Sequence, residues 1–210
     1  MEKKIDYKKD FKDLYLPKKI EIIQVPAMQF FTVNGEGNPN GEEFSEVVAA
    51  LYSLSYAIKM SPKKGTAPKN YFNYTVFPLE GVWDLAVDAR NFKKLDKNKL
   101  IYDLMIRQPD FVNTSYANQI IEQTKKNKPS PALDRAKFET IKEGLCVQMM
   151  HLGSYDDEPV SFNMMDEFCR QNKYERIEHK HREIYLSDPR TTSPEKLKTV
   201  LRYKVKLITT

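Results

Sequence analysis

The chain has 210 residues, of which 40% are hydrophobic and 30% are charged, and its formal net charge is +5 at pH 7. This length and composition fit one or two globular domains with a substantial core. No run of about 18 apolar residues occurs, which excludes a membrane-spanning helix, and the start MEKKIDYKKDF predicts neither a signal peptide nor an anchor.

The cysteines and lysines narrow the expected class of partner. Cys146 and Cys169 lack a CxxC spacing, which favours reduced thiols in the cytoplasm over a disulfide framework or a zinc site. The lysine-rich runs are interleaved with acidic residues and accompany no recognised nucleic-acid motif. We therefore expect a cytoplasmic protein with a solvated basic surface, without a membrane partner and without nucleic-acid binding.

The first half of the chain reads as strand, loop, helix, strand, strand. A β-prone run from Lys18 to Val33, interrupted at Pro26, is followed by the loop NGEGNPNG. The stretch EEFSEVVAALYSLSYAIKM places apolar residues on one helical stripe, which ends at Ser61 and Pro62. The segments YFNYTVF, GVWDLAV and LIYDLMI are then predicted strands.

The second half repeats that order of elements. Helical segments over about 110–140 lead to the strand GLCVQMMHL, the turn GSYDDEP, the helix VSFNMMDEFCRQN and the strands IEHKHREIYLS and TVLRYKVKL. Residues 18–107 and 144–208 thus have the same βαββ order. We predict an α+β fold over residues 1–210, one domain of two halves, with antiparallel sheets whose helices cover one face and leave the other open.

The stretch HREIYLSDP alternates a polar and an apolar face. Its odd positions are His181, Glu183 and Tyr185, and its even positions include Ile184 and Leu186. A carboxylate under a helix would be costly, so we expect Ile184 and Leu186 to face the helix and Glu183 to face the open side. There it is either an exposed carboxylate paired with a Lys or Arg, or a partly desolvated base or cation acceptor in an aromatic cleft.

The same stretch also has the residue types of a metal site. His179, His181 and Glu183 alternate along one predicted strand face, and two histidines with one carboxylate suit iron-like ions. On an extended strand these three side chains span roughly 13 Å. Because they would rarely converge on one ion, we predict no metal.

Other candidate residues each have a structural and a functional interpretation. Trp83, the only tryptophan, follows a turn that contains Glu80, and it is either core packing or a wall of an aromatic ligand site. Tyr155 comes just after Gly153, and its phenol is either a capping or surface group or a proton donor at the edge of a cleft. His151 ends the preceding predicted strand and would tune that phenol.

The remaining motifs give little support for common enzyme classes. The methionine pairs at 149–150 and 164–165 fit either a core or an adaptable pocket for flat ligands. No Gly-rich phosphate loop, GxSxG, Cys–His pairing signature or HExxH motif occurs in the sequence. Nucleotide enzymes and hydrolases that depend on those motifs are therefore disfavoured.

Residues 144–207 resemble the GyrI-like small-molecule-binding family, which is related to the effector domains of AraC-type and MerR-type regulators. The resemblance depends on Gly153-Ser154-Tyr155, on Glu183-x-Tyr185 and on the closing strand after SPEKLKT, and it extends loosely to FPLEGVWDL and LMIRQPDFV. It implies tandem βαββ units around a pseudo-twofold axis, a GyrI-like (SHS2) duplication, with a central ligand groove.

The resemblance also implies the ligand and the chemistry. The family's groove glutamate matches Glu183, and the expected ligand-binding residues are Trp83, Tyr185, His151, Glu80 and Met105. The chain resembles the stand-alone branch, some members of which are similar to enzymes that hydrolyse cyclopropanoid DNA-alkylating compounds. The resemblance implies a small aromatic hydrophobic ligand and no cofactor.

Two further roles stay open beside hydrolysis. In the leading hypothesis Glu183 is the general base and Tyr155 or Tyr185 is the proton donor. The alternative is a non-catalytic protein that binds or sequesters flat hydrophobic or cationic drugs. A protein partner such as DNA gyrase follows only from the family name.

Overall fold

The computed structural model describes residues 4–85 and 96–209. The helices are α1 (Tyr7–Asp10), α2 (Lys12–Tyr15), α3 (Glu42–Lys59), α4 (Thr114–Asn127), α5 (Pro131–Asp134) and α6 (Glu158–Gln171). The strands are β1 (Glu21–Glu36), β2 (Leu79–Leu85), β3 (Leu100–Gln108), β4 (Lys137–Leu152), β5 (Tyr174–Arg176), β6 (His181–Tyr185) and β7 (Lys198–Leu207). None of the helices in those two ranges combines the length and apolarity that a membrane crossing requires.

The chain forms two compact units, and each contains antiparallel strand pairs. Unit 1 comprises Met1–Asp6 and Met28–Ile141, and unit 2 comprises Tyr7–Ala27 and Lys142–Thr210. Strands β1 and β4 each begin in one unit and end in the other. The α+β class with antiparallel sheets is confirmed. The assignment of one domain with halves at 18–107 and 144–208 stays a prediction.

In unit 1, β3 pairs with β1 on one side and with β2 on the other. Helix α3 packs on β3, and α4 and α5 pack on α3. The helix buries its apolar stripe because Val47, Leu51, Leu54 and Ile58 recur at helical spacing and are fully inaccessible to solvent. The predicted helix and the predicted strand LIYDLMI are therefore confirmed.

The predicted strand YFNYTVF is wrong. Residues 71–77 are irregular except for one bridge between Ile5 and Tyr74. Backbone groups of this segment bond to residues outside it, because the main chain of Ile5 hydrogen-bonds on both sides of Tyr74 and Lys59 Nζ donates to the Tyr74 carbonyl. The neighbouring prediction GVWDLAV matches β2 up to Leu85, and its last two residues lie outside the described ranges.

A glycine in β1 makes room for an aromatic cluster on the α3 side of unit 1. Gly35 lies opposite Tyr102, and a Cβ at Gly35 would be 2.5 Å from the Tyr102 ring. The Tyr102 ring packs against Phe44 of α3 and against Trp83, with centroid distances of 5.3 and 5.4 Å. Only glycine lets the tyrosine ring lie across the strand at this point.

We expect Gly35→Ala to lower the free energy of unfolding by about 1–3 kcal/mol, because the new methyl group displaces a buried ring. The check is denaturant unfolding followed by the fluorescence of Trp83. Combining Gly35→Ala with Tyr102→Ala is the control, since removal of the ring should cancel most of the glycine's effect. Equal costs of Gly35→Ala in both backgrounds would contradict the packing argument.

In unit 2, β7 pairs with β4 along one edge and with β6 and then β5 along the other. Helix α6 covers one face of this sheet. Its residues Met165 and Cys169 join a buried cluster with side chains of β4 and β7: Val147, Met149, Leu201, Tyr203 and Val205. The predicted helix with its apolar stripe is confirmed, although it begins two residues earlier than VSFNMM.

The opposite face of this sheet carries a buried network of charged and amide groups. Glu143 lies 2.9 Å from Arg182 Nε and 3.0 Å from Arg202 Nη1. Arg202 also donates to the Gln148 side chain and to the Leu14 carbonyl, which ties the N-terminal segment to the sheet. Burial acts to raise the pKa of Glu143, but the two guanidinium groups outweigh it and lower that pKa overall.

The predicted strand IEHKHREIYLS is too long. Only His181–Tyr185 forms β6, and the preceding residues bend away from the ladder. The cause is Arg176, whose guanidinium donates to the carbonyls of Glu178 and Lys180. These carbonyls are satisfied by a side chain, so His179 does not continue the strand.

Candidate functional site

Glu183 lies on the face of the unit 2 sheet that α6 covers. In the β6–β7 register it is directly opposite Leu201, which belongs to the cluster under α6. Ile184 is opposite Val200 and points to the other face. The expectation that Ile184 faces the helix and Glu183 the open side is therefore wrong, although the two do alternate.

Polar neighbours on β6 offset the cost of burying the Glu183 carboxylate. His181 Nε2 lies 3.0 Å from Glu183 Oε1, and the Tyr185 hydroxyl donates to Glu183 Oε2 over 2.8 Å. The side chain of Glu183 is 11% exposed, so a small part of it remains in contact with solvent. Within the described residues the polar partners of Glu183 on its strand are a histidine and a tyrosine, so the alternative of an exposed carboxylate paired with a Lys or Arg is not observed.

His151 fixes the turn that leads into α6. Its Nε2 lies 2.9 Å from the Ser154 carbonyl, and its Nδ1 lies 2.8 Å from Ser161 Oγ. A carbonyl oxygen only accepts, so Nε2 carries the donating hydrogen, and in the neutral ring Nδ1 then accepts from Ser161. Gly153 begins this turn with a φ of +135°, a conformation that favours glycine.

This turn places Tyr155 beside Tyr185. The two rings are perpendicular, with centroids 5.9 Å apart. Burial, followed by the negative charge of Glu183, raises the pKa of Tyr155 to about 12, so the phenol is neutral at physiological pH. None of the hydrogen bonds in the described part of the chain uses the Tyr155 hydroxyl, whereas the Tyr185 hydroxyl is bonded to Glu183.

The first residue of α6 supplies a second carboxyl group that the sequence reasoning missed. Glu158 is 6% exposed, and its side chain hydrogen-bonds Glu183. Burial, followed by the charge and hydrogen bond of Glu183, raises the pKa of Glu158 to about 10. The signal for a helix start was present in DDEP, an acidic residue followed by proline, but it does not reveal the contact with β6.

By distance alone, a metal ion could be held by three side chains of this site: Glu158, His181 and Glu183. Their potential donor atoms all lie within 4.8 Å of one another. Both oxygens of Glu183 are already used in hydrogen bonds to His181 and Tyr185, and the two carboxyl groups are bonded to each other. We interpret the group as a proton-sharing cluster. His179 lies outside β6 and is exposed, so it does not join this group.

Three of the expected ligand-binding residues belong to unit 1. Glu80 and Met105 are directly opposite each other on β2 and β3, and both are buried. Trp83 points to the other face, where it stacks on Phe44 at a centroid distance of 5.9 Å. The sheet therefore separates Trp83 from Glu80 and Met105, and a role of all three in ligand binding stays a prediction.

A family model places these features in a known class. Residues 18–206 match the model of the GyrI-like small molecule binding domain, so the chain belongs to the GyrI-like family. This confirms the resemblance seen in the sequence. No curated protein is detectably similar to the chain in sequence.

Solved structures from Listeria innocua are similar over nearly the whole chain. A hydrolase from this organism has a TM-score of 0.86 and 39% identity, covering 97% of this chain and 100% of that chain. An uncharacterized conserved protein has a TM-score of 0.88 and 40% identity with the same coverage. The EcmrR C-terminal domain, at 11% identity and a TM-score of 0.56 over 90% of this chain and 98% of that one, shares the fold alone.

Proposed function

We propose that the chain is a small-molecule hydrolase that opens the cyclopropane ring of cyclopropanoid DNA-alkylating compounds at the Glu183 cluster. The observation that carries this proposal is a buried carboxylate held by His181 and Tyr185 beside a second phenol, Tyr155. Membership of a small-molecule-binding family and 39% identity to a hydrolase support it. A cytoplasmic location, where the alkylator is met before it reaches DNA, is part of the proposal.

Glu183 acts as the general base in this mechanism. It orients a water molecule and takes its proton as the water oxygen bonds to a carbon of the strained ring. The carbon–carbon bond breaks, and its electron pair moves into the conjugated dienone, which becomes a phenolate. General-base assistance is typically worth about 10²–10⁴-fold in rate. Relief of ring strain supplies much of the remaining driving force.

Tyr155 is the phenol that donates to the substrate oxygen as negative charge develops there. Its hydroxyl is protonated at physiological pH and is not used by the hydrogen bonds of the described residues. Tyr185 instead donates its hydrogen to Glu183, which orients the base. The proton that Glu183 takes from water afterwards restores Tyr155, so the reaction adds one water molecule and leaves the protein unchanged.

The alternative function is binding or sequestration without chemistry. The family description supports it, and a buried carboxylate is a suitable counter-ion for a flat cation. Under this alternative Glu183→Gln weakens binding of cationic compounds far more than binding of neutral ones. Contributions of Trp83, Glu80 and Met105 to the ligand pocket, and any interaction with DNA gyrase, stay predictions.

The test that separates the two functions uses a duocarmycin-like compound in large molar excess over the protein. Hydrolysis should consume the compound well beyond one molecule per chain and yield a product heavier by one water molecule, as read by mass spectrometry. Depletion that stops at one molecule per chain, with the compound recovered intact after denaturation, would support sequestration and reject the hydrolase.

A further inference from the structure

Glu158 is a buried acid that the mechanism above does not use. It begins α6, directly after the turn that carries Tyr155. Its carboxyl group lies close to that of Glu183, with potential donor atoms within 4.8 Å of each other, and its Oε1 is buried without a hydrogen-bond partner among the described residues. A buried carboxylate whose oxygen lacks a donor is costly, whereas a neutral carboxyl group in the same place costs much less.

The geometry decides which of the two acids holds the proton. Two carboxylates in hydrogen-bond contact cannot both be ionised at neutral pH, because like charges at this distance repel strongly. Glu183 has polar contacts from His181 and Tyr185 that stabilise its charge. Among the described residues no donor bonds to Glu158 Oε1, so the neutral form belongs to Glu158.

We propose that Glu158 is a positioning residue that retains a proton at neutral pH and uses it to donate a hydrogen bond to Glu183. The pair then carries a single negative charge, and α6 supplies a donor to Glu183 in addition to the contacts from β6. This inference deepens the proposed function, and its catalytic part rests on that function. The raised pKa of Glu158 agrees with it.

Several titratable groups surround this carboxyl group. They are Tyr155 and Asp156 in the preceding turn and His181 and Glu183 on β6. Asp156 and Glu183 both act to raise the pKa of Glu158. Removing the charge of Glu183 should therefore let Glu158 ionise at a lower pH.

Infrared spectroscopy tests the protonation state without any ligand. The folded wild-type protein at pH 7 should show the carbonyl band of a neutral carboxylic acid, which disappears as the pH passes about 10. Glu158→Gln should lack this band, and in Glu183→Gln it should disappear at a lower pH. Glu195→Gln, which removes a fully exposed carboxylate, is the control and should keep the band.

Two results of this experiment would overturn the proposal. One is the absence of the neutral carboxyl band in the wild-type protein at pH 7, and the other is its persistence in Glu158→Gln. A stoichiometric divalent ion that is present in the purified wild-type protein and lost in Glu158→Gln would also overturn it, since the group would then be a metal site. Because no substrate is used, a failure of the hydrolase proposal does not affect these outcomes.

Stability as a function of pH gives a second readout. The unfolded chain releases the Glu158 proton near pH 4.5, whereas the folded chain holds it to about pH 10. Between these values the unfolded state binds fewer protons, so Glu158 makes the fold less stable as the pH rises. Glu158→Gln should therefore resist denaturant better relative to wild type at pH 9 than at pH 4, and a pH-independent difference would contradict the proposal.

The turnover test uses the conservative variant as a rescue. Glu158→Ala removes the donor to Glu183 and should lower turnover by about ten- to a hundredfold, since hydrogen bonds to charged groups are the stronger class. Glu158→Gln keeps an N–H donor and should recover part of that loss. Equal losses in both variants would assign Glu158 a packing role only.

Discussion

Glu183→Gln is expected to lower turnover of a cyclopropanoid substrate by about 10²–10⁴-fold, the usual contribution of a general base. The amide still accepts from Tyr185, so the shape of the site is retained, but it cannot take a proton from water. Steady-state product formation, measured by mass spectrometry, is the check. Binding of a neutral, unreactive analogue should change little, because that ligand does not depend on the charge.

Glu175→Gln is the matched control for this variant. Glu175 pairs with Lys206 on the exposed surface of the same unit, so its loss should leave turnover unchanged. The double variant Glu158→Gln/Glu183→Gln is informative as well. In the single variant Glu158 loses its charged neighbour, ionises at a lower pH and supplies part of the lost base function, so the double variant should be less active than Glu183→Gln alone. Wild-type turnover by Glu183→Gln would remove Glu183 from the mechanism.

Glu143→Gln is expected to lower the free energy of unfolding by about 3–5 kcal/mol. The carboxylate bridges two guanidinium groups, and the side chains of Arg182 and Arg202 are only 3% and 1% exposed. Removing the shared anion leaves two buried cations without their counter-ion, which is the costly way to break a buried ion pair. Denaturant unfolding followed by circular dichroism at pH 7 measures the loss.

The pH dependence of this stability identifies its electrostatic origin. The pKa of Glu143 is lowered in the folded chain, so the stability that it contributes is present above the ordinary glutamate pKa and is lost as the pH falls through the folded value. The difference between wild type and Glu143→Gln should therefore shrink in acid. The exposed-pair variant Glu175→Gln should cost less than about 1 kcal/mol. Similar losses in the two variants would contradict the buried-network account.

Local patterns in the sequence predicted most of the elements. The stripe from Val47 to Ile58 defines α3 because a helix repeats every 3.6 residues, and this property needs no knowledge of distant contacts. The strand prediction for residues 71–77 was wrong. The aromatic and β-branched residues of this segment suit a strand, but its backbone groups bond to Ile5 and Lys59 instead. Tertiary partners there overrode local preference.

The candidate site was only half accessible to sequence reasoning. Alternation in β6 correctly placed Glu183 and Ile184 on opposite faces, but which face meets α6 depends on the pairing of Glu183 with Leu201. The apolar residues were assumed to mark the helix side. In the structure both faces are covered, one by α6 and the other by the Glu143 network and the N-terminal segment. Glu158 was missed because its contact with Glu183 spans 25 positions of the chain.

The most direct test of the central claim is a single-turnover reaction in water enriched in heavy oxygen, with the wild-type protein in excess over a duocarmycin-like compound. If Glu183 activates water, the product carries one heavy oxygen on the former ring carbon and the mass of the protein is unchanged. A compound that remains bound and intact, or one that becomes covalently attached to the chain, would show that this site does not direct water at the ring.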